Sequence, residues 1–213
     1  MLSDPAELEA EPPIAAVLFG DRVDRARQFT RNLAVHGEER GLIGPQELPR
    51  LWSRHILNCA IVAPLLRPGL VGDIGSGAGL PGLVLAIARP DVDFVLIEPM
   101  ERRVVWLEEQ RDQLGLDNVR IVRARAEDAN VRDLEQVTAR AVSAFRKLII
   151  WTAHLVKDGG ELIFMKGAGA PAEVEAAAKE IRKYRLSPPE VLTLGTGVLD
   201  EETRVIRSVV RGT

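Results

Sequence analysis

The chain has 213 residues, with 28 basic and 31 acidic side chains, 46% hydrophobic residues and a single cysteine. That length allows one full domain with a sizeable core, and the composition excludes a disordered segment, a disulfide scaffold and a cysteine-rich zinc site, since Cys59 stands alone. A formal net charge of −3 excludes the strongly basic kind of nucleic-acid binder, so any surface for an anionic partner must be a local patch on a mildly acidic body.

In chain order, residues 1–13 hold four acids, and no base occurs before Arg22. A secretory signal begins with positive charge and an apolar run, so this stretch reads as a mobile acidic tail on a cytoplasmic protein. From Ile14 to Val35, Phe19, Val23, Ala26, Thr30 and Leu33 recur at helical spacing on one face. A loop over 37–49 follows, then a second helix from about Arg50 to Ala63, closed by Pro64 and Pro68. Residues 14–67 thus read as a helical amino-terminal extension, and 68–213 as the main domain.

At Leu70 the pattern changes to alternating strands and helices. Strands are predicted at 70–74, 94–97, 119–122, 136–142, 161–165, 190–194 and 204–210, with helices at 81–88, 101–114, 143–156 and 171–184 between most of them. Strand then helix, repeated, implies a mostly parallel sheet covered on both faces. The last two strands are joined by a Gly/Thr/Asp-rich stretch with no helix, which predicts an antiparallel ending. The longest stretch without a charged residue, Ile74–Ala88, spans 15 residues and contains four glycines and a proline; a bilayer needs about 20 apolar residues, so no membrane partner is expected.

The most informative segment is the apolar strand running into Gly75-Ser76-Gly77-Ala78-Gly79-Leu80-Pro81-Gly82. Glycines here let a backbone approach a ligand closely, and a helix start offers free N–H groups. The spacing of Gly77, Gly79 and Gly82 fits G-x-G-x-x-G, which also occurs as a purely structural turn. Two acids sharpen the reading. Glu98 ends the next strand, where a carboxylate can accept hydrogen bonds from ribose hydroxyls, so the ligand contains a nucleoside. Asp73, two residues before the first glycine, suits an ammonium group and opposes a pyrophosphate, and no Lys or Arg between Leu70 and Ala88 offsets phosphate charge. Together these favour S-adenosylmethionine over a dinucleotide; a phosphate-binding G-x-x-x-x-G-K-[ST] loop is absent. After the third strand, Arg123-Ala124-Arg125-Ala126-Glu127-Asp128 is expected beside the glycine turn, within reach of an adenine, or else its acids face water.

The fourth strand ends in Thr138-Ala139-Arg140-Ala141-Val142, without the Asn/Asp-Pro-Pro-aromatic signature of amino-group methylation, and the sole cysteine, Cys59, belongs to the helical extension, so covalent attack on pyrimidine C6 has no obvious nucleophile. Guanine N7 needs no deprotonation, and Arg140 can hydrogen-bond guanine O6 and N7. An ordinary strand-end ion pair is the competing account of Arg140. Residues 120–147 hold seven bases against four acids, so Arg125, Arg140 and Lys166 are expected to ring the pocket mouth and meet phosphates, although such runs also arise as solvated faces.

The combination of Arg54-His55-Ile56-Leu57, Asp73-Ile74-Gly75-Ser76-Gly77-Ala78-Gly79-Leu80-Pro81-Gly82, Arg125-Ala126-Glu127, Ala139-Arg140-Ala141 and Met165-Lys166-Gly167 resembles the RsmG (GidB) family. The resemblance covers roughly residues 50–210. It implies a class I methyltransferase of Rossmann-like, seven-stranded α/β fold that uses S-adenosylmethionine to methylate N7 of guanine 527, in the 530 loop of small-subunit (16S) ribosomal RNA. It also implies cofactor contacts at Gly75, Leu80, Ala126, Glu127 and Arg140, and RNA-facing or catalytic roles for Arg125 and Arg204. A monomer is expected. The alternatives are a class I methyltransferase acting on a protein or small molecule, a nicotinamide-dependent oxidoreductase, and a ribosome-assembly factor without chemistry.

Overall fold

The computed structural model describes residues 8–211. Seven strands, β1 (Leu70–Ile74), β2 (Asp93–Ile97), β3 (Val119–Val122), β4 (Leu134–Arg140), β5 (Val156–Lys166), β6 (Glu190–Leu194) and β7 (Thr203–Val209), form one sheet in the order β3-β2-β1-β4-β5-β7-β6. The first five strands pair in parallel, and β7 is antiparallel to both its neighbours. The helices are α1 (Ile14–Phe19), α2 (Val23–His36), α3 (Asn58–Ala60), α4 (Gly82–Ala88), α5 (Glu101–Leu114), α6 (Phe145–Thr152), α7 (Ala170–Ala176) and α8 (Ala178–Lys183).

Strand alternation divides the core into two layers. Phe94 and Leu96 of β2, and Ile163 and Met165 of β5, face one side with Leu83, Leu85, Trp106 and Leu107. Val95, Ile97, Leu162 and Phe164 face the other with Phe145, Leu148 and Ile149 of α6. Burial of both sheet faces explains why the central strands are short, nearly continuous apolar runs. The connections after β1 and β2 place α4 and α5 on one face, and the connection after β4 places α6 on the opposite one, as right-handed crossovers running in opposite directions require.

The amino-terminal helices belong to the first of these layers: Ala15, Phe29, Leu33, Trp52 and Ile56 are buried in the same cluster as Val71, Leu83 and Trp106. They are a wall of the main core. Both amino-terminal helices depart from the sequence reading, as does the predicted 171–184 helix, which is divided into α7 and α8. The first helix is interrupted at Gly20, where a 3-10 turn (Gly20–Arg22) separates α1 from α2, and the second begins as a π-helix over Leu51–Leu57 before reaching α3. The expected mobile tail is tied down in its described part. Leu8 packs on the core, Glu9 donates its N–H to the Leu48 carbonyl and accepts from the Ser53 N–H at 2.9 Å, and the Glu11 carboxylate holds Arg27 at 2.6 and 2.8 Å. Glu9 and Glu11 thus have backbone and basic partners on the adjoining helices; residues 1–7 lie outside the described residues. No helix among the described residues is long and apolar enough to cross a membrane.

Candidate active site

The glycine turn leaves β1 at Ile74 and is held from below by its neighbours. Gly75 donates its N–H to the Ile97 carbonyl at 2.8 Å, and Gly77 donates to Glu98 Oε2 at 2.9 Å. The other Glu98 oxygen accepts from the Met100 N–H at 2.9 Å, and the Arg103 guanidinium stands 3.9 Å from Oε2. Gly75 has φ +65, and a Cβ there would lie 2.9 Å from Val142 Cγ2, so this position needs glycine both for its backbone and for the space above it. Trp106, wholly buried, donates its indole N–H to the Ala78 carbonyl at 3.0 Å and fixes the far end of the turn.

Asp73 is wholly buried beneath the turn. Its Oδ2 accepts from the Gly82 N–H, and its Oδ1 accepts from the Thr138 hydroxyl, both at 3.1 Å. A Cβ on Gly82 would fall 2.5 Å from Asp73 Oδ2, so the last glycine of the motif is required by this carboxylate. Burial pushes the Asp73 carboxyl up to about 7, against the pull of its hydrogen bonds from Ser76, Thr138 and Gly82. The expectation that Asp73 faces the pocket and meets an ammonium group is therefore corrected: it anchors the turn to the start of α4 and to β4.

Two adjoining cavities open at the carboxyl ends of the strands. One, of about 340 Å³, lies over Gly75–Ala78 and Leu80 and is walled by Ile43, Glu47, His55 and Arg103. The other, of about 890 Å³, is walled by Arg54, Asn58, Val142, Lys166, Glu201 and Arg204, among others. Arg140 and Ala141, at the end of β4, line both. Arg140 is firmly held: Nη1 donates to the His55 carbonyl at 3.3 Å and to Cys59 Sγ at 3.0 Å, and Nη2 meets His55 Nδ1 at 2.6 Å. No carboxylate pairs with it among the described residues, which removes the ion-pair account.

A model of the GidB family, described as rRNA small subunit methyltransferase G, matches residues 22–202. The chain belongs to the GidB family. Among its relatives, the ribosomal RNA small subunit methyltransferase G of Leifsonia xyli subsp. xyli is 72% identical over 205 residues, covering 96% of this chain and 98% of that protein. The protein of the same name from Clavibacter michiganensis subsp. michiganensis is 67% identical over 210 residues, covering 98% and 100%. Solved structures with the same fold include a SAM-dependent O-methyltransferase from Thermotoga maritima, at TM-score 0.58 and 16% identity over 79% of this chain and 71% of that one. A tRNA (m1A58) methyltransferase from Aquifex aeolicus gives 0.57 and 15% over 73% and 69%. This likeness establishes the class I methyltransferase fold, here with helices added at the amino terminus.

Within this GidB fold, the residues named from the sequence fall into three groups. Gly75, Ser76, Gly77, Leu80 and Arg140 line the smaller cavity, and Arg140, Lys166 and Arg204 line the larger. Lys166 is not a free cation at its mouth: Nζ donates to the Ser143 carbonyl at 2.6 Å and to Glu173 Oε2 at 2.8 Å, with its side chain 8% exposed, so it braces the 141–144 loop. Glu98 lies under the turn with both oxygens engaged by backbone. Arg125, Ala126 and Glu127 line neither cavity. Their loop follows β3, the edge strand, and β2 separates it from the opening between β1 and β4; Arg125 and Glu127 are exposed there and Ala126 is buried. Missed as site residues were Glu47 and His55. His55 sits inside a motif already singled out, yet its contact with Arg140 joins positions 85 residues apart, which no local pattern reveals.

Proposed function

We propose that this chain transfers a methyl group from S-adenosylmethionine to N7 of guanine 527 in 16S ribosomal RNA. The observation that carries the proposal is the pair of adjoining cavities with Arg140 in both walls: one lies on a glycine turn of the nucleoside-binding kind, and the other is large enough for a base and its flanking backbone. The cofactor fits the residues present. The smaller cavity, about 340 Å³, falls within the range of small-ligand sites. Its floor is the glycine turn, and Arg103 and Glu47 stand at its wall with charges opposite to those of an amino-acid carboxylate and ammonium. Bound there, S-adenosylmethionine supplies an electrophilic methyl group on a sulfonium.

This chain's own residues then orient and desolvate. Gly75, Ser76, Gly77 and Leu80 form the cofactor's bed, with Asp73 and Glu98 holding that bed from beneath. Ala126 and Glu127 are assigned to the adenine side. Guanine N7 presents an in-plane lone pair and has no proton to lose, so no general base is required; alignment and charge balance suffice. Arg140 can donate to O6 and hold the base in line. Arg204 and Arg125 are assigned to RNA phosphates, and Lys166 keeps the wall of the larger cavity in shape. The chain acts as a monomer, in the cytoplasm, on the small subunit or an assembly intermediate.

The test is transfer of labelled methyl from S-adenosylmethionine to small subunits, and to extracted 16S RNA, from cells lacking this modification, followed by mapping of the labelled nucleotide. One 7-methylguanosine at guanine 527 is expected. Label in protein, or at another base, would overturn the reading.

A further inference from the structure

Resting on the proposed reaction, we infer that His55 and Glu47 form a positioning pair that orients Arg140 between the two cavities. The hydrogen-bond directions require it. A guanidinium donates and never accepts, so His55 Nδ1, 2.6 Å from Arg140 Nη2, is the acceptor and carries no proton. The ring proton therefore resides on Nε2 and is donated to Glu47 Oε2 at 2.5 Å. Glu47 is fixed in turn by Arg50 Nη2 at 2.7 Å on its other oxygen. Burial, followed by the charge of Arg140, holds the imidazole below its ordinary value, so it stays neutral near pH 7 and keeps that acceptor available. Burial alone would raise Glu47, but the hydrogen bonds from His55 and Arg50 carry it below the usual carboxylate range, so it stays ionised.

Within this pair each member acts on the next. Glu47 selects the tautomer, His55 presents a lone pair, and Arg140 is aimed without being neutralised, because its partner is an uncharged ring and not a carboxylate. A carboxylate in the same place would satisfy the guanidinium and weaken its donation to a substrate oxygen. Both Glu47 and His55 line the smaller cavity but belong to the amino-terminal layer; the helical extension thereby reaches the chemistry through Arg140.

The test uses three replacements of one residue and a double-mutant cycle, reading kcat/KM for methyl transfer to small subunits. Asn in His55→Asn puts its amide oxygen near the Nδ1 position and can still accept from Arg140. Gln in His55→Gln reaches toward the Nε2 position and can face Glu47 but leaves Arg140 Nη2 without its acceptor, and His55→Phe removes both. His55→Asn should stay within about threefold of wild type, while His55→Gln and His55→Phe lose about tenfold or more, the size expected for a hydrogen bond to a charged group. In an Arg140→Ala background, His55→Phe should cost less than about twofold, since a residue acting through Arg140 has nothing left to act on. Melting curves confirm that each variant folds. Equal losses in the Asn and Gln variants, or losses that multiply with Arg140→Ala, would overturn the inference. Failure of the wild-type chain to label guanine N7 would instead overturn the proposed reaction.

Discussion

Replacing Asp73 by Asn separates a carboxylate that supports the glycine turn from one that contacts the ligand. Asp73 is wholly buried, with a carboxyl pushed up to about 7 from 3.8 by loss of solvent. A folded-state value above the unfolded one means that the folded protein binds the extra proton. The stabilisation is complete below about pH 4 and is lost as pH rises toward and through 7. Between pH 5 and pH 8 the loss covers roughly two units, or about 3 kcal/mol at about 1.36 kcal/mol per unit. Asn removes that titration while keeping an oxygen for the Gly82 N–H and offering an amide to the Thr138 hydroxyl. Wild type and variant are melted from pH 5 to pH 8. His55 and His154, both held below their ordinary values, principally by burial, contribute an opposite slope equally to the two proteins, so the difference isolates Asp73. Wild type should lose roughly 5–10 °C relative to the variant across that range, at about 2–4 °C per kcal/mol for a chain of this length. Affinity for S-adenosylhomocysteine should change by less than about threefold, because the hydrogen bonds that hold the turn persist. Parallel melting profiles, or a tenfold loss of affinity in the variant, would refute the reasoning and return Asp73 to the ligand.

Gly82→Ala places a methyl 2.5 Å from Asp73 Oδ2; it should cost about 1–3 kcal/mol and weaken S-adenosylhomocysteine binding, read by melting and by calorimetry. Trp106→Phe leaves the Ala78 carbonyl without its donor at 3.0 Å and should cost about 1–3 kcal/mol in thermal or urea unfolding. Binding of a 16S RNA fragment should depend weakly on salt: with two or three uncompensated arginines facing the RNA, the slope of log K against log salt is about −2, from about −0.7 per phosphate neutralised on single strands. Titrations at several ionic strengths check this, and a slope of −6 or steeper contradicts it.

Strand positions were legible because a sheet buried on both faces leaves short apolar runs between polar breaks. β1, β3 and β6 coincide with the predicted spans and β2 starts one residue earlier, while β4 is shifted two residues toward the amino terminus and β5 starts at Val156 where 161 was expected. The π-helical stretch Leu51–Leu57 was not legible, since a segment of 7 residues with Leu51, Trp52, Ile56 and Leu57 buried is too short for its period to be told from that of an α-helix. The anchoring of Glu9 and Glu11 depends on partners at Ser53 and Arg27, which composition cannot supply. Asp73 was read as facing a ligand because a motif gives a residue's order along the chain and not the direction of its side chain. Arg125 lines neither cavity, for a topological reason. Its loop is next but one to the glycine turn along the chain's strand order, but β3 is the sheet edge, with β2 standing between.

That same strand order explains why the site lies where it does. The chain builds outward from β1 through β2 to β3, then returns to place β4 on the other side of β1, so connections leave the β1/β4 boundary in opposite directions and open a crevice at their carboxyl ends. Ile74 of β1 pairs with Ala139 of β4, which sets Gly75 and Arg140 side by side at its rim. Charge is arranged around this crevice with little excess. Arg54 meets Glu201 at 3.3 Å and Lys166 meets Glu173. Arg140 keeps its charge because its side-chain partners are an imidazole and a thiol, and Arg204 joins no salt bridge among the described residues. A protein of net charge −3 can therefore present positive charge where a base and its phosphates would enter without attracting RNA broadly. Under the proposed reaction, discrimination rests on the fit of the RNA to the crevice, and the basic residues act as point contacts within that fit.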